Sequence, residues 1–303
     1  MKIFQSRWFH WGLGILGVGG SLFSLVHFGH WENLVWPGTR FVIFLVGLVG
    51  FEMACRSLRL KKVCALMGQK ISFWESTWVG ALGDVYGAAT PSSVGGEFSR
   101  IAALARFGIK GSKALMVLAS ERLALLSSLT FVMLLSAVLI LIQNASVFSI
   151  HSLFYTLLFY MGLALGLIVL LIVMIRHKKM KMPLKKLLLR PDIFLLAMAH
   201  HVVRLGILPL ILWIFARQAP NLQILIWSFI LGYGISLLPI PSGGGSVELM
   251  FMTVFKPILG EEMAALILIW WRFSGHYFYV VVGLLVTLWG VIGLSKRDIE
   301  VPL

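Results

Sequence analysis

Two short segments carry glutamate, serine, proline and glycine in the same order inside otherwise apolar sequence. The first runs from Tyr86-Gly87 through Pro91, Ser92, Ser93, Gly95 and Gly96 to Glu97. The second runs from Tyr233-Gly234 through Pro239, Pro241, Ser242, Gly243, Gly244, Gly245 and Ser246 to Glu248. Pro-Ser-Gly turns that open a half-helix leave free N–H groups at a positive dipole end, which is chemistry for holding an anion. The alternative for the glycines is close packing of helices. A lone arginine follows each segment at nearly equal distance: Arg122 after Glu97, and Arg272 after Glu248.

Arginine is the informative residue type here. Its planar fork holds a phosphate through two parallel hydrogen bonds and keeps its charge. Arg122, Arg204 and Arg272 are the candidates within the hydrophobic zone, with Arg56 and Arg100 nearer its cytoplasmic edge. Glu97 and Glu248 would hold these arginines or carry a coupling proton, and Glu121 lies beside Arg122. An ionised group at bilayer depth costs ~2.5–3.5 kcal/mol even on lenient insertion scales. Each charge, including Glu52 and Asp84, therefore needs a partner or a wet cavity. Simple structural pairing, such as Glu97 with an arginine of its own half and Glu248 with Arg272, is the competing explanation for any one of them. His200 and His201 are adjacent and cannot share a helix face as metal ligands at i, i+4 would. An interface role suits them better than proton coupling beside Arg204, and His276 is a weaker version of the same idea. The sequence has no HExxH, GxSxG, Walker loop or cysteine-rich metal motif. No catalytic residue, cofactor or metal is therefore expected, and the chain is not read as an enzyme.

The elements that must position these groups are membrane helices. Hydrophobic residues make up 59% of the 303 and charged residues 13%, against about a quarter charged in an average soluble domain. Six stretches read as full crossings: Trp8–Phe28, Pro37–Cys55, Ala114–Ile142, Leu153–Ile175, Ile193–Phe215 and Met263–Leu294, the last bent near Ser274-Gly275. The interrupted segments, about 72–112 and 222–257, read as re-entrant helix pairs, or as further crossings if eight spans are counted. Broken backbone at membrane depth must be buried in protein or line a wet cavity. Seven of the 26 Lys and Arg lie in 176–190, and others cluster near Arg56 to Lys70 and Arg100 to Lys113. The positive-inside rule then places both termini in the cytoplasm. It also explains the net charge of +14 as topology and contact with anionic head groups, with nucleic-acid binding excluded for want of any reading motif. The first crossing reads as an uncleaved signal-anchor. Cys55 and Cys64, near the cytoplasmic end of the second, are expected as free thiols.

The expected fold is thus an all-α polytopic membrane protein forming one integral domain. Residues 1–150 form a first half-repeat and 151–303 a second, inverted one. Each half runs span, arginine-bearing span, re-entrant pair and long span with arginine. An odd number of crossings per half inserts the halves upside down relative to each other. Such a junction, near the bilayer midplane, is where inverted-repeat transporters hold their substrates.

The run Pro91-Ser-Ser-Val-Gly-Gly-Glu97-Phe-Ser-Arg100, with Glu121-Arg122-Leu123 after it, resembles the first signature of the flippase-like membrane family, also called the lysylphosphatidylglycerol synthase transmembrane region. Pro239 to Glu248 and Trp271-Arg272-Phe273 are similar to its second signature, and Arg56-Ser-Leu-Arg59 fits as well. Ser-Gly-Gly-Gly-Ser stands where relatives commonly have a Pro-Gly-Gly-like turn. The resemblance covers nearly the whole chain. It implies translocation of a phosphate-bearing lipid, phospholipid or polyprenyl-phosphate type, across a bacterial cytoplasmic membrane. No soluble synthase domain is present in these 303 residues, so synthase activity is not expected. The rival expectations are a scaffold for a lipid synthase or glycosyltransferase partner, and a lipid-phosphate enzyme. Head group, direction, energy source and oligomeric state are not readable.

Overall fold

The computed structural model describes residues 36–90, 94–143, 176, 187, 190–218, 222–234 and 246–294. These are all-helical, and no strand occurs among the described residues. In chain order the helices are α1 (Thr39–Leu66), α2 (Phe73–Ala89), α3 (Val94–Arg106), α4 (Ser112–Gln143) and α5 (Pro191–Ala216). Then follow α6 (Leu222–Phe229) with a π-turn at Ile230–Gly234, α7 (Ser246–Leu259) and α8 (Glu261–Arg272). A second π-turn at Phe273–Tyr277 joins α8 to α9 (Phe278–Leu294).

Four helical stretches are long and apolar enough to cross a bilayer: Thr39–Leu66, Ser112–Val132, Pro191–Ala216 and Glu261–Trp289. They coincide with four of the six expected crossings. The other two, Trp8–Phe28 and Leu153–Ile175, lie outside the described residues, as does most of the basic 176–190 segment. The second crossing needs a correction at its end. Helix α1 does not stop at Cys55 but continues to Leu66, because Arg56 and Arg59 find acidic partners inside the protein and do not force the chain out. Near Ser274-Gly275, where a bend is expected, the helix widens into the π-turn. There the Ser274 hydroxyl lies within hydrogen-bonding distance of the Trp270 and Trp271 carbonyls, at 2.9 and 3.1 Å, and satisfies backbone that the turn disturbs.

The first interrupted segment forms a tight antiparallel hairpin. Helix α2 starts with a reciprocal cap, Glu75 N–H to the Ser72 hydroxyl and Ser72 N–H to the Glu75 carboxylate. With 17 and 13 residues, α2 and α3 measure about 25 and 20 Å at 1.5 Å per residue. Both fall short of the ~30 Å hydrocarbon core. Gly83, Gly87 and Gly96 let the two backbones nearly touch: a Cβ on Gly96 would lie 2.5 Å from the Gly83 carbonyl oxygen and 3.2 Å from Gly87 Cα. At the tip, Thr90 Oγ1 donates to the Tyr86 carbonyl (2.7 Å) and accepts from Gly95 N–H (2.8 Å). Gly95 and Gly96 are therefore not in a non-helical turn, as the sequence suggests, but in the first turn of α3. Glycine serves there because α2 leaves no room for a side chain. The second segment forms the shorter pair α6 with its π-turn and α7, and the π-turn packs against α7. Ser246 is the first residue of α7, another departure from the expected loop. Ser92 and Ser93, and Ser242 to Gly245, fall outside the described residues.

Helix α1 packs on α5, α4 on α5, and α2 between α3 and α9. One apolar core gathers around Val63, Cys64, Leu104, Val117 and Ile193. Another surrounds Leu208, Ile211, Phe251 and Ile267, where the Phe251 ring lies 4.6 Å from Phe255 and 5.6 Å from Trp271. Cys55 and Cys64 are free thiols, both buried. Outward faces carry exposed Ile43, Phe44, Trp213, Leu285 and Trp289, the composition of a surface that meets lipid.

The glycine contact yields a stability test. Gly96→Ala must push α3 off α2, and overpacking of this kind costs about 1–3 kcal/mol. Detergent-solubilised Gly96→Ala should therefore melt several degrees below the parent in a thermal unfolding assay. Gly50→Ala, where a Cβ meets nothing within 4 Å, should melt like the parent.

Candidate functional site

Residues of both interrupted segments border one cavity of about 690 Å³, within the size range of small-molecule sites. Each bordering helix contributes a stripe at helical spacing. Arg56 and Arg59 come from α1, Gly83, Asp84 and Gly87 from α2, and Gly96, Glu97 and Arg100 from α3. Helix α4 adds Glu121, Arg122 and Leu125, and α5 adds His200, His201 and Arg204. Tyr233 arrives from the π-turn after α6, and Arg272, His276 and Tyr279 from the α8–α9 stretch. Arg272 and Tyr279, seven residues apart on either side of the second π-turn, both line the cavity.

A chain of ion pairs runs from the core to the mouth of the cavity. Arg59 donates to Glu121 Oε1 through Nη2 (3.0 Å) and Nε (3.3 Å). The other Glu121 oxygen takes Arg100, whose Nη1 lies 3.6 Å from Glu97. Glu97 in turn pairs with Arg122. Exposure rises along this chain from 2% at Arg59 and Glu121, through 12% at Arg100, to 38% at Glu97 and 49% at Arg122. The inner end is locked, whereas the outer pair is weakened by water and free to exchange. A second group joins Arg56 to Asp84 at 2.7 Å. Arg56 also lies 4.0 Å from the fully buried Glu52, which contacts His200 Nδ1. On the opposite wall Arg272 Nε meets the buried Glu248 at 2.7 Å.

Arg204 differs from these. Among the described residues no carboxylate lies within ion-pair distance of it. Its guanidinium sits instead over two aromatic rings, 5.3 Å from Tyr233 and 6.0 Å from Tyr279. Cation–π contacts attract the charge without consuming an N–H donor. Tyr279 also carries Arg56 at 5.7 Å. Tyr233 is held by His201, whose Nδ1 lies 2.8 Å from the tyrosine oxygen and whose Nε2 lies 2.9 Å from the Leu125 carbonyl. A carbonyl only accepts, so Nε2 carries the proton, and in the neutral ring Nδ1 accepts from the tyrosine.

Of the residues singled out from sequence, Arg56, Gly96, Glu97, Arg100, Glu121, Arg122, Arg204 and Arg272 line this cavity. Glu248 stands behind Arg272. Gly95 is not on the lining and instead bonds Thr90 at the hairpin tip. The expected pairings of Glu97 and Glu248 with arginine are present, so pairing and cavity lining turn out to be compatible roles. Sequence reasoning left out Arg59, Asp84, Tyr233 and Tyr279 as site residues. A signal for some existed: Glu52, Arg56 and Arg59 share a helix face at spacings of four and three, and so do Arg272, His276 and Tyr279. His200 and His201 prove to be buried side chains that contact neighbouring helices, Glu52 for the first and Tyr233 and Leu125 for the second. Among the described residues, no group of three or more His, Cys, Asp or Glu side chains could hold a metal ion.

The family model described as lysylphosphatidylglycerol synthase TM region matches residues 11–283. No curated protein and no solved structure matches.

The exposure gradient predicts unequal stability effects. Glu121→Ala leaves Arg59 and Arg100 without their shared acid, and breaking a buried pair costs about 3–5 kcal/mol. That variant should show a large loss of thermal stability or of folded yield on size-exclusion chromatography. Arg122→Ala, at the exposed end, should stay close to the parent.

Proposed function

Because the chain belongs to the family of the lysylphosphatidylglycerol synthase TM region and is a multi-pass membrane protein, we propose that it translocates a phosphate-bearing lipid between leaflets. The single observation that carries this reading is the cavity: two interrupted hairpins and six arginines converge on one space in a chain with an apolar exterior. Arginines at membrane depth that served structure alone would be closed off with their partners, as Arg59 is. Arg122 and Arg204 instead present donors to the cavity. The head group would enter between the hairpins and exchange Glu97 for its phosphate at Arg122, while the acyl chains stay in lipid beyond exposed Val94 and Phe98.

In this reading the protein performs no chemical step and needs no metal or cofactor. Transport of a bound head group requires differential contacts in two states, not bond making. The two hairpins would be counterparts in an inverted repeat, a view supported by the packing of α1 on α5, their equivalent spans. The chain would lie in a bacterial cytoplasmic membrane with both termini inside, as its basic segments suggest. A lipid synthase or glycosyltransferase acting on the same lipid is the kind of partner this activity implies.

Reconstitution tests the proposal. In proteoliposomes the parent should move a fluorescent phospholipid between leaflets, and Arg204→Gln should cut the rate at least about tenfold, the loss of one charge-assisted contact to phosphate. Arg122→Lys keeps the charge but loses the fork, so it should fall between them. Parent-like transport by both variants would overturn the assignment. Cysteine labelling checks the topology: positions near Lys179 should react from the cytoplasmic side and those near Gln218 from the other. Labelling of both from one side would exclude the six-crossing arrangement.

A further inference from the structure

The apolar interior is divided, and each part holds one of the interrupted segments. The first core joins Val63 of α1, Val79 of α2, Leu104 of α3, Val117 of α4 and Ile193 of α5. The second joins Val49 of α1, Ile211 of α5, Ile224 of α6, Phe251 of α7 and Ile267 of α8. A small third cluster, Leu129, Val132 and Leu205, lies apart from both. The ion pairs follow the same division. Arg56–Asp84, Arg59–Glu121, Arg100–Glu121, Arg122–Glu97 and Lys62–Asp192 each join helices of the first core. Arg272–Glu248 and Lys256–Glu261 each join helices of the second. At the boundary stand Glu52 against His200, and Arg56 and Arg204 over the Tyr279 ring.

Among the described residues, three helical stretches pass from one core to the other, and each is discontinuous near its passage. Helix α1 leaves the second core at Val49 and enters the first at Leu60, and Gly50 opens that interval. Helix α5 leaves the first core at Ala197 and enters the second at Ile207, next to Gly206. Pro209, inside the same helix, has no N–H and leaves the Leu205 carbonyl without its helical partner. The α8–α9 stretch loosens its hydrogen-bond ladder in the π-turn at Phe273–Tyr277. Tyr279 still belongs to the second core. Beyond it α9 lies on α2, where a Cβ on Gly283 would be 3.1 Å from the Ala81 carbonyl oxygen, and Val286 packs on the first core. We infer that the two cores are two bodies that rock against each other about these three joints and so open and close the cavity between them. The first body carries α2 and α3, and the second carries α6, α7 and α8. Close packing and ion pairs stiffen each body, so bending concentrates where the connecting helices are broken. Such a motion would serve the proposed transport, but the inference rests on packing and does not depend on what the cavity holds.

Pulsed dipolar distance measurement on the spin-labelled full chain in phospholipid nanodiscs tests this. Leu115→Cys on α4 reports on the first body and Ile258→Cys on α7 on the second, and both positions are exposed. Trp74→Cys with Leu115→Cys is the pair within the first body, and Trp213→Cys with Ile258→Cys the pair within the second. The native Cys55 and Cys64 are buried, so the label goes to the introduced cysteines. The pair between bodies should give a distance distribution at least about twice as wide as either pair within a body. Pro209→Ala restores an N–H to α5, and Gly206→Ala stiffens the helix where a Cβ meets nothing within 4 Å. Each should narrow the distribution between bodies. A distribution between bodies no wider than those within them overturns the inference, and so does a width that neither substitution changes. Retained motion without lipid transport in proteoliposomes removes the proposed function and leaves the two bodies standing. Transport by a chain with one narrow distance between bodies does the reverse.

Discussion

Six arginines share one cavity in a chain built to cross a membrane, and their charge has to be answered inside the protein because lipid cannot answer it. This constraint organises the whole interior. Each helix that borders the cavity delivers an acid, an arginine or an aromatic ring to a partner on another helix. Arg59 of α1 reaches Glu121 of α4, Arg100 of α3 reaches the same carboxylate, and Arg272 of α8 reaches Glu248 of α7. The helices cannot separate without stranding a charge, so the polar network holds together elements whose apolar faces alone would pack almost equally well against lipid.

The first hairpin meets a second constraint. Backbone that breaks in apolar surroundings is tolerated only against protein or water. Helix α3 meets this by lying directly on α2, where Gly96 faces the backbone of Gly83 and Gly87 and the Arg100 side chain lies across Gly83. Thr90 satisfies the backbone at the tip. The same closeness brings Glu97 and Arg100, one helical turn apart, into line with Arg122 and Glu121. Glycine packing and charge pairing are therefore parts of one arrangement.

The network is graded rather than uniform. Its inner members are shut away and act as structure, while the outer Glu97–Arg122 pair is half exposed, where ion pairs exchange readily. The proposed binding of an anionic head group would use both kinds: fixed charges that set the field, and a replaceable carboxylate that yields to the ligand. Arg204 would complete such a site, because a cation–π contact positions the charge without consuming an N–H donor.

The sequence by itself determined the membrane class, the four described crossings, the paired interruptions and the identity of most charged residues in the site. These follow from composition, hydrophobic length and helix-breaking residues, which act locally. The Glu52–Arg56–Arg59 stripe was latent in the spacing, but a crossing expected to end at Cys55 did not carry Arg59 onto that face; only the helix that runs on to Leu66 does. What only the tertiary structure decided is who meets whom. Whether Glu121 belongs to its neighbour Arg122 or to Arg59, 62 positions away, depends on how α1 and α4 lie together. That Arg204 lies over the Tyr233 ring depends on the π-turn that carries this tyrosine. The start of α3 at Val94, inside the glycine run, was likewise hidden. A glycine pair reads as a loop until the helix that presses on it is in place.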